Sequence, residues 1–280
     1  MSALSSALFD LPRPIARIVH IGAGDGGDLS TYLEAGAAAV LLVEAEEEAA
    51  NRLRGLASRH ANVQMRHAAV SGDTRPRPFH RLSFDDLSSL RPPEGMGVMF
   101  PGLQILSQDE VTPVDPSALL RTPEPDAEGS RLLVLETPGE SAGILQSLSA
   151  SRLLARFDTI CLREPREPLY KGAEPLERIR EQLEEMGFSV ALEGAPEDPD
   201  RPWLVARRQS GAPELEEAQG RLTEATRQIK ALETKVADLE KALGAAEDTE
   251  QRIRDSRDEM MKAEGQIRLL RDLLLDRARP

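Results

Sequence analysis

The stretch IVHIGAGDGGDLSTYL, beginning at Ile18, sets a dense run of glycines between an apolar segment and a helical pattern. Glycines at such a turn let the backbone amides of the following helix N-terminus approach a ligand closely. Gly22, Gly24 and Gly26 fit a GxGxG spacing, and Gly22, Gly24 and Gly27 fit GxGxxG equally well, so the glycines alone do not choose between them. The next apolar run, LLVEAEEE, puts Glu44 at its C-terminal tip. A carboxylate there can accept hydrogen bonds from both hydroxyls of a ribose. Together the two features point to a nucleotide-type cofactor; the competing reading is a tight turn beside a solvated glutamate. Glu46 to Glu48 read as the first turn of a helix, where acidic side chains favour the macrodipole.

Other chemistry-bearing residues are few. The four histidines, His20, His60, His67 and His80, have no partner at HExxH or CxxC spacing, so no metal site is expected. His67 lies in an alternating pattern and reads as a partly exposed strand residue. His80 lies in a Pro- and Ser-rich stretch, where it is either a general base or an exposed loop histidine. The single cysteine, Cys161, sits in the apolar run FDTICL and reads as a buried strand residue rather than a catalytic thiol. There is no Gly-x-Ser-x-Gly elbow and no Walker A lysine. Trp203 reads as core.

These residues need a scaffold. Strands are predicted at 15–21, 39–43, 63–69, 131–135, 157–162, 187–192 and 203–206, with helical patterns at 28–35, 46–58, 140–150 and 174–186. Continuous apolar runs separated by helices indicate a doubly wound α/β fold, a parallel sheet covered on both faces. The last two strands have no helix between them and should be antiparallel. Residues 71–125 interrupt the alternation and read as an insertion, a small hairpin near the ligand site.

On four segments the chain resembles the FkbM-type family of S-adenosylmethionine-dependent methyltransferases over about residues 15–208. They are IVHIGAGDGGDLSTYL, LLVEAEEEAANRLR, NVQMRHAAVSGD and RLLVLETPGESAGIL, and VTPVDPSALL is similar to the family's approach to the fourth strand. The resemblance implies a seven-stranded Rossmann-like class I methyltransferase sheet and S-adenosylmethionine as cofactor. It implies that Gly22, Gly24 and Gly26 pass the methionine part and Glu44 holds the ribose, while Ala69 and Asp73 border the adenine. The chemistry implied is methyl transfer to an oxygen, with Glu136 and His80 as candidate catalytic groups. The chain departs from the family pattern at His20, where an acidic residue is usual ahead of the glycines. An imidazole there offers one acceptor in place of a charged carboxylate. Glu136 stands for the usual Asp, while Pro138 and Ser141 replace acids.

Residues 1–212 form the expected catalytic-type domain and 213–280 a helical tail. Leu222, Ile229, Val236 and Leu243 take heptad position a, and Ala225, Leu232, Leu239 and Ala246 take d. β-Branched residues at a with leucine at d favour a parallel coiled-coil dimer, so a homo-oligomer through 215–246 is expected. Beyond Ala246 the a series turns polar (Glu250, Arg257, Glu264, Arg271), and 250–276, ending in IRLLRDLLLDR, reads as a partner-binding segment. A net charge of -13 argues against a general nucleic-acid binder and against anionic membranes. The N-terminal apolar stretch is short, lacks a basic leader and is broken by Pro12 and Pro14, so a cytoplasmic protein is expected. Three functions follow as alternatives: an FkbM-like O-methyltransferase on a sugar or glycan hydroxyl, a catalytically degenerate scaffold acting through its coiled coil, and an NAD-type dehydrogenase, for which no hydride-transfer residues are seen.

Overall fold

The computed structural model describes residues 3–121, 128–193, 200–209 and 212–277. The chain divides into two compact units, one ending at Pro213 and one beginning at Glu214.

The first unit is built on seven strands: β1 (Ile15–Ile21), β2 (Val40–Glu44), β3 (Val63–His67), β6 (Ser130–Leu135), β7 (Thr159–Arg163), β8 (Phe188–Glu193) and β9 (Trp203–Arg208). Their order across the sheet is β3-β2-β1-β6-β7-β9-β8. All neighbours are parallel except at β9, which runs antiparallel to both β7 and β8. The predicted doubly wound sheet with an antiparallel final pair is therefore observed. Residues 194–199 of the Pro- and Asp-rich turn between β8 and β9, and Ser210 and Gly211 of the join, lie outside the described residues.

The period of two along each strand divides the core between the two faces. Val19, Ile21, Leu133, Leu135, Ile160 and Leu162 pack against α6 (Ser141–Ala150) and α7 (Leu176–Glu185). Ile18, Leu42, Val134 and Cys161 face the other side, with α1 (Ala3–Asp10), α2 (Leu29–Glu34) and α3 (Glu47–Ala57). Local signals explain the longer helices. Glu46 caps α3 by accepting a hydrogen bond from the Ala49 amide at 3.0 Å, and Ala49, Ala50, Leu53 and Ala57 form its buried stripe. Leu176, Ile179 and Leu183 do the same for α7. Helix α1 has no counterpart among the predicted elements. It is one short amphipathic turn pair that buries Leu4, Ala7 and Leu8.

The interrupting stretch contains the expected hairpin, β4 (Arg77–Leu82) antiparallel to β5 (Ile105–Val111). A one-turn helix α4 (Met96–Met99) lies between them, and α5 (Pro116–Leu120) follows. The hairpin region has its own small core of Leu82, Leu87, Met96, Leu169 and Tyr170. Its last predicted residues, 122–125, lie outside the described residues.

The second unit is one helix, α8 (Ala212–Arg277). Within it the a residues Leu222, Ile229, Val236 and Leu243 and the d residues Leu232 and Leu239 are all exposed. The side chains of Ala246, Leu273, Leu274 and Leu275 lie outside the described residues. No described helix is long and apolar enough to cross a membrane.

Candidate functional site

In an open parallel sheet the ligand crevice forms at the C-terminal strand ends, where the order reverses. Here that point lies between β1 and β6, and a cleft of about 400 Å³ occupies it. That is within the roughly 300–1,000 Å³ usual for small-molecule sites. Its lining comes from the turns after five strands: Gly22, Gly24 and Asp28 after β1, Glu44 to Glu46 at β2, Ala68 to Val70 after β3, Glu136 to Pro138 after β6, and Arg163 at β7.

The glycine turn is held from both sides. Gly22 has φ +85°, and a Cβ added there would stand 2.1 Å from the Glu136 carbonyl oxygen. β1 and the chain leaving β6 thus meet at a spacing only glycine permits. Gly24 has φ +55° and open space around an added Cβ, so its backbone fronts the cleft. Gly26 differs: at φ +85° its Cβ would strike Leu53 Cδ2 at 2.6 Å, so it seats the turn on α3 and does not line the cleft. Of the three glycines expected to pass the ligand, Gly22 and Gly24 line the cleft and Gly26 does not, while Gly27 does.

Glu44 is buried at the tip of β2. Its Oε2 accepts from the Gly24 amide at 2.8 Å, and its Oε1 accepts from the Ala45 and Glu46 amides, each at 2.7 Å. Burial raises its pKa, against the pull of those three amides and of His20. A carboxylate has about four acceptor directions. Three are spent on the turn, leaving one acceptor direction unused by these bonds.

His20 points to the α1–α3 face from the last turn of β1. Its Nδ1 lies 2.9 Å from the Tyr32 hydroxyl, and its Nε2 lies 3.4 Å from Glu136 Oε1. Arg163 Nη1 approaches the other oxygen of Glu136 at 3.8 Å. Asp28 completes this corner; burial raises its pKa, while His20 opposes the shift and Glu136 reinforces it.

The remaining predicted positions divide. Ala69 lines the cleft, but Asp73 does not: it pairs with Arg75 outside it, and that hydrogen bond holds its carboxyl well below the usual range. His80 is neither an exposed loop residue nor at the cleft. It is a buried residue of β4 whose backbone bonds to Ser89, and burial lowers its pKa. Cys161 is a buried strand residue, its thiol pushed up to about 12 by burial. Trp203 is core, with the Arg163 guanidinium 5.8 Å from its ring centre.

Sequence reasoning missed Asp28, Phe79, Arg163 and Arg201, all of which line the cleft. Asp28 sits inside the quoted glycine stretch and was the one within reach, as an acidic side chain on the helix-entry turn. The others arrive from the hairpin and from the far strands, which no local spacing announces.

The donor set fits an adenosyl amino acid. Gly22 and Gly24 give close backbone approach, Glu44 keeps one acceptor, Phe79 and the Ala68–Val70 turn offer apolar walls, and Arg163 and Arg201, already paired with Glu136 and Asp86, bring positive charge to the cleft. No protein-family model matches the chain, and no curated protein matches it. Solved structures do. The methyltransferase FkbM from Methylobacillus flagellatus KT is 11% identical with a TM-score of 0.41, over 72% of this chain and 50% of its own. This chain therefore spans half the length of that protein. A ribosomal protein L11 methylase from Lactobacillus delbrueckii subsp. bulgaricus is 11% identical with a TM-score of 0.38, over 74% and 78%. The 23S rRNA methyltransferase ErmE is 12% identical with a TM-score of 0.38, over 74% and 67%. At such scores these likenesses carry no argument of their own; the strand order does. With seven strands, a switch point beside β1 and a reversed β9, the first unit has a class I methyltransferase-like fold.

Proposed function

We propose that the first unit binds S-adenosylmethionine in this cleft and that the chain is an FkbM-like O-methyltransferase acting on a sugar or glycan hydroxyl. The observation that carries the reading is the coupled turn: Gly22 closes against the Glu136 carbonyl while the Gly24 amide is tied to Glu44. Gly24 and Glu44 would hold the ribose side, the Ala69 turn and Phe79 the adenine, and Arg163 or Arg201 the carboxylate. The cofactor supplies a sulfonium methyl group. The chain's own contribution is to position an acceptor oxygen in line with that methyl and to offer the Glu136 carboxylate as the acceptor of a hydroxyl proton. The acceptor class follows from the resemblance to FkbM-type sequences. The tail pairs two copies through 215–246, and 250–276 presents Leu269 and Leu270 to a protein partner.

A second reading is favoured by the strand-six turn. The Pro138 carbonyl accepts from Ser89 Oγ at 2.6 Å, and Ser141 Oγ is bonded to the buried Glu164 at 2.6 Å. Positions that carry acids in the family are here occupied in holding the fold, as in a binding platform that no longer reacts. Calorimetric titration with S-adenosylmethionine and S-adenosylhomocysteine separates the two. One site per chain is expected, weakened at least tenfold in Gly24→Ala, whose methyl projects into space now open. A folded chain that binds neither ligand rules out the enzyme and leaves the platform.

A further inference from the structure

Among the described residues, one trio of metal-type ligands converges. His20, Asp28 and Glu136 each offer a ligand atom, and these atoms lie within 4.8 Å of one another. Carboxylate clusters are commonplace, but His20 Nε2 is a separate observation. The ring is only 2% exposed, and this nitrogen makes no hydrogen bond, its polar neighbour Glu136 Oε1 standing 3.4 Å away. A buried polar atom left unmatched is costly and calls for an explanation.

The surroundings of all three residues are those of a ligand set. His20 Nδ1 lies 2.9 Å from the Tyr32 hydroxyl. With Nδ1–H donated to that oxygen, Nε2 carries the lone pair, the outer-partner arrangement of a metal-bound imidazole. Arg163 faces one oxygen of Glu136 and leaves Oε1 on the His20 side. Asp28 occupies the N-cap position of α2, where Asp ordinarily accepts from the first amides, yet it makes no capping hydrogen bond. Its carboxylate is turned to the other two instead. Metal–ligand bonds of about 2.0–2.2 Å in a tetrahedral site separate ligand atoms by about 3.3–3.6 Å. The 3.4 Å between His20 Nε2 and Glu136 Oε1 already matches, and side-chain adjustment of Asp28 closes the triangle.

We propose that His20 Nε2, Asp28 and Glu136 bind one divalent first-row cation whose open side faces the cleft. One imidazole and two carboxylates suit zinc or manganese, and three protein ligands with a vacant position are the pattern of catalytic zinc. Asp28 and Glu136 line the cleft, so the ion would polarise an oxygen presented there. This departs from the sequence expectation of no metal site, which considered only ligands spaced along one segment.

The test uses the full chain stripped of metal by a chelator. Zinc should bind at one ion per chain by calorimetry, and cobalt should give the visible absorption of a four- or five-coordinate site. Asp28→Asn and His20→Gln should each weaken zinc binding about 100-fold or more, while His67→Ala, which removes an exposed histidine, should leave it unchanged. Circular dichroism checks folding, and Asp28→Asn carries the test if His20→Gln fails to fold. Absence of zinc and cobalt binding by the folded chain overturns the site, as does binding retained in a folded Asp28→Asn. S-adenosylhomocysteine titrated in chelator reads the cofactor proposal separately. If that ligand binds, is lost in Asp28→Asn and zinc never binds, the three residues hold the ligand's ammonium and the metal is overturned. Zinc binding without nucleoside binding overturns the cofactor reading and leaves the metal site standing.

Discussion

Among single residues, Glu164 shows most directly how burial and hydrogen bonding compete. It sits just past β7, only 3% exposed, accepting from the Gly139 amide at 3.1 Å and from Ser141 Oγ at 2.6 Å. Those bonds favour the charged form, but burial is the larger effect and raises the pKa from 4.5 to about 7. The folded state therefore holds this proton more tightly than the unfolded chain does. Its contribution to stability is fully present below about pH 4.5 and is lost as pH rises to about 7. The amount at stake is roughly 3 kcal/mol. Glu164→Gln keeps an acceptor oxygen and removes the titration. Urea unfolding between about pH 4 and about pH 8 should show wild type losing about that much stability relative to the variant. Parallel profiles for the two proteins would refute the assignment.

Among elements, the joint between the hairpin and the sheet depends on one buried carboxylate. Glu140, at the start of α6, accepts from Ser71 Oγ at 2.6 Å and pairs with Arg91 Nε at 2.8 Å and Arg77 Nη2 at 3.3 Å. It thereby ties the turn after β3, the first strand of the hairpin and the loop beyond it to a single helix end. Glu140→Ala takes the carboxylate from two part-exposed guanidinium groups, which keep the Asp73 and Gly172 carbonyls, and should cost about 1–3 kcal/mol. Amide hydrogen exchange over 77–111 should accelerate more than in β1 and β6. Uniform acceleration across the sheet would show that the hairpin is not held at this point. None of this joint is visible in sequence, because Ser71, Arg77, Arg91 and Glu140 are polar residues spread over four segments. The sheet itself was legible: buried strands such as 131–135 and 203–206 announce themselves as unbroken apolar runs, α3 by its cap and stripe, and α7 by its stripe alone. The glycine turn and Glu44 were legible too, since backbone conformation and strand-tip position are local properties. What Glu44 binds was not, because its three amide donors depend on how the turn folds back on β2.

For the whole molecule, the consequence lies in a tail helix whose described apolar seam residues are exposed. Leu222, Ile229, Val236 and Leu243 at a, with Leu232 and Leu239 at d, are each more than half exposed. A 66-residue helix of this kind gains most of its stability from packing, since propensity alone is a weak support. β-Branched a residues with d leucines select two parallel strands, and burying that seam removes apolar surface from water at about 25 cal/mol per Å². The expected solution mass is about 61 kDa, twice the chain mass of 30.7 kDa. Leu232→Lys with Leu239→Lys puts charges into two successive d layers. Light scattering should then report the monomer mass, with the far-ultraviolet signal of the first unit's sheet and helices kept and that of α8 reduced. Deleting 213–280 should give the same monomeric first unit. A double variant that keeps the wild-type mass would mean that copies associate elsewhere, and the heptad seam would lose its role.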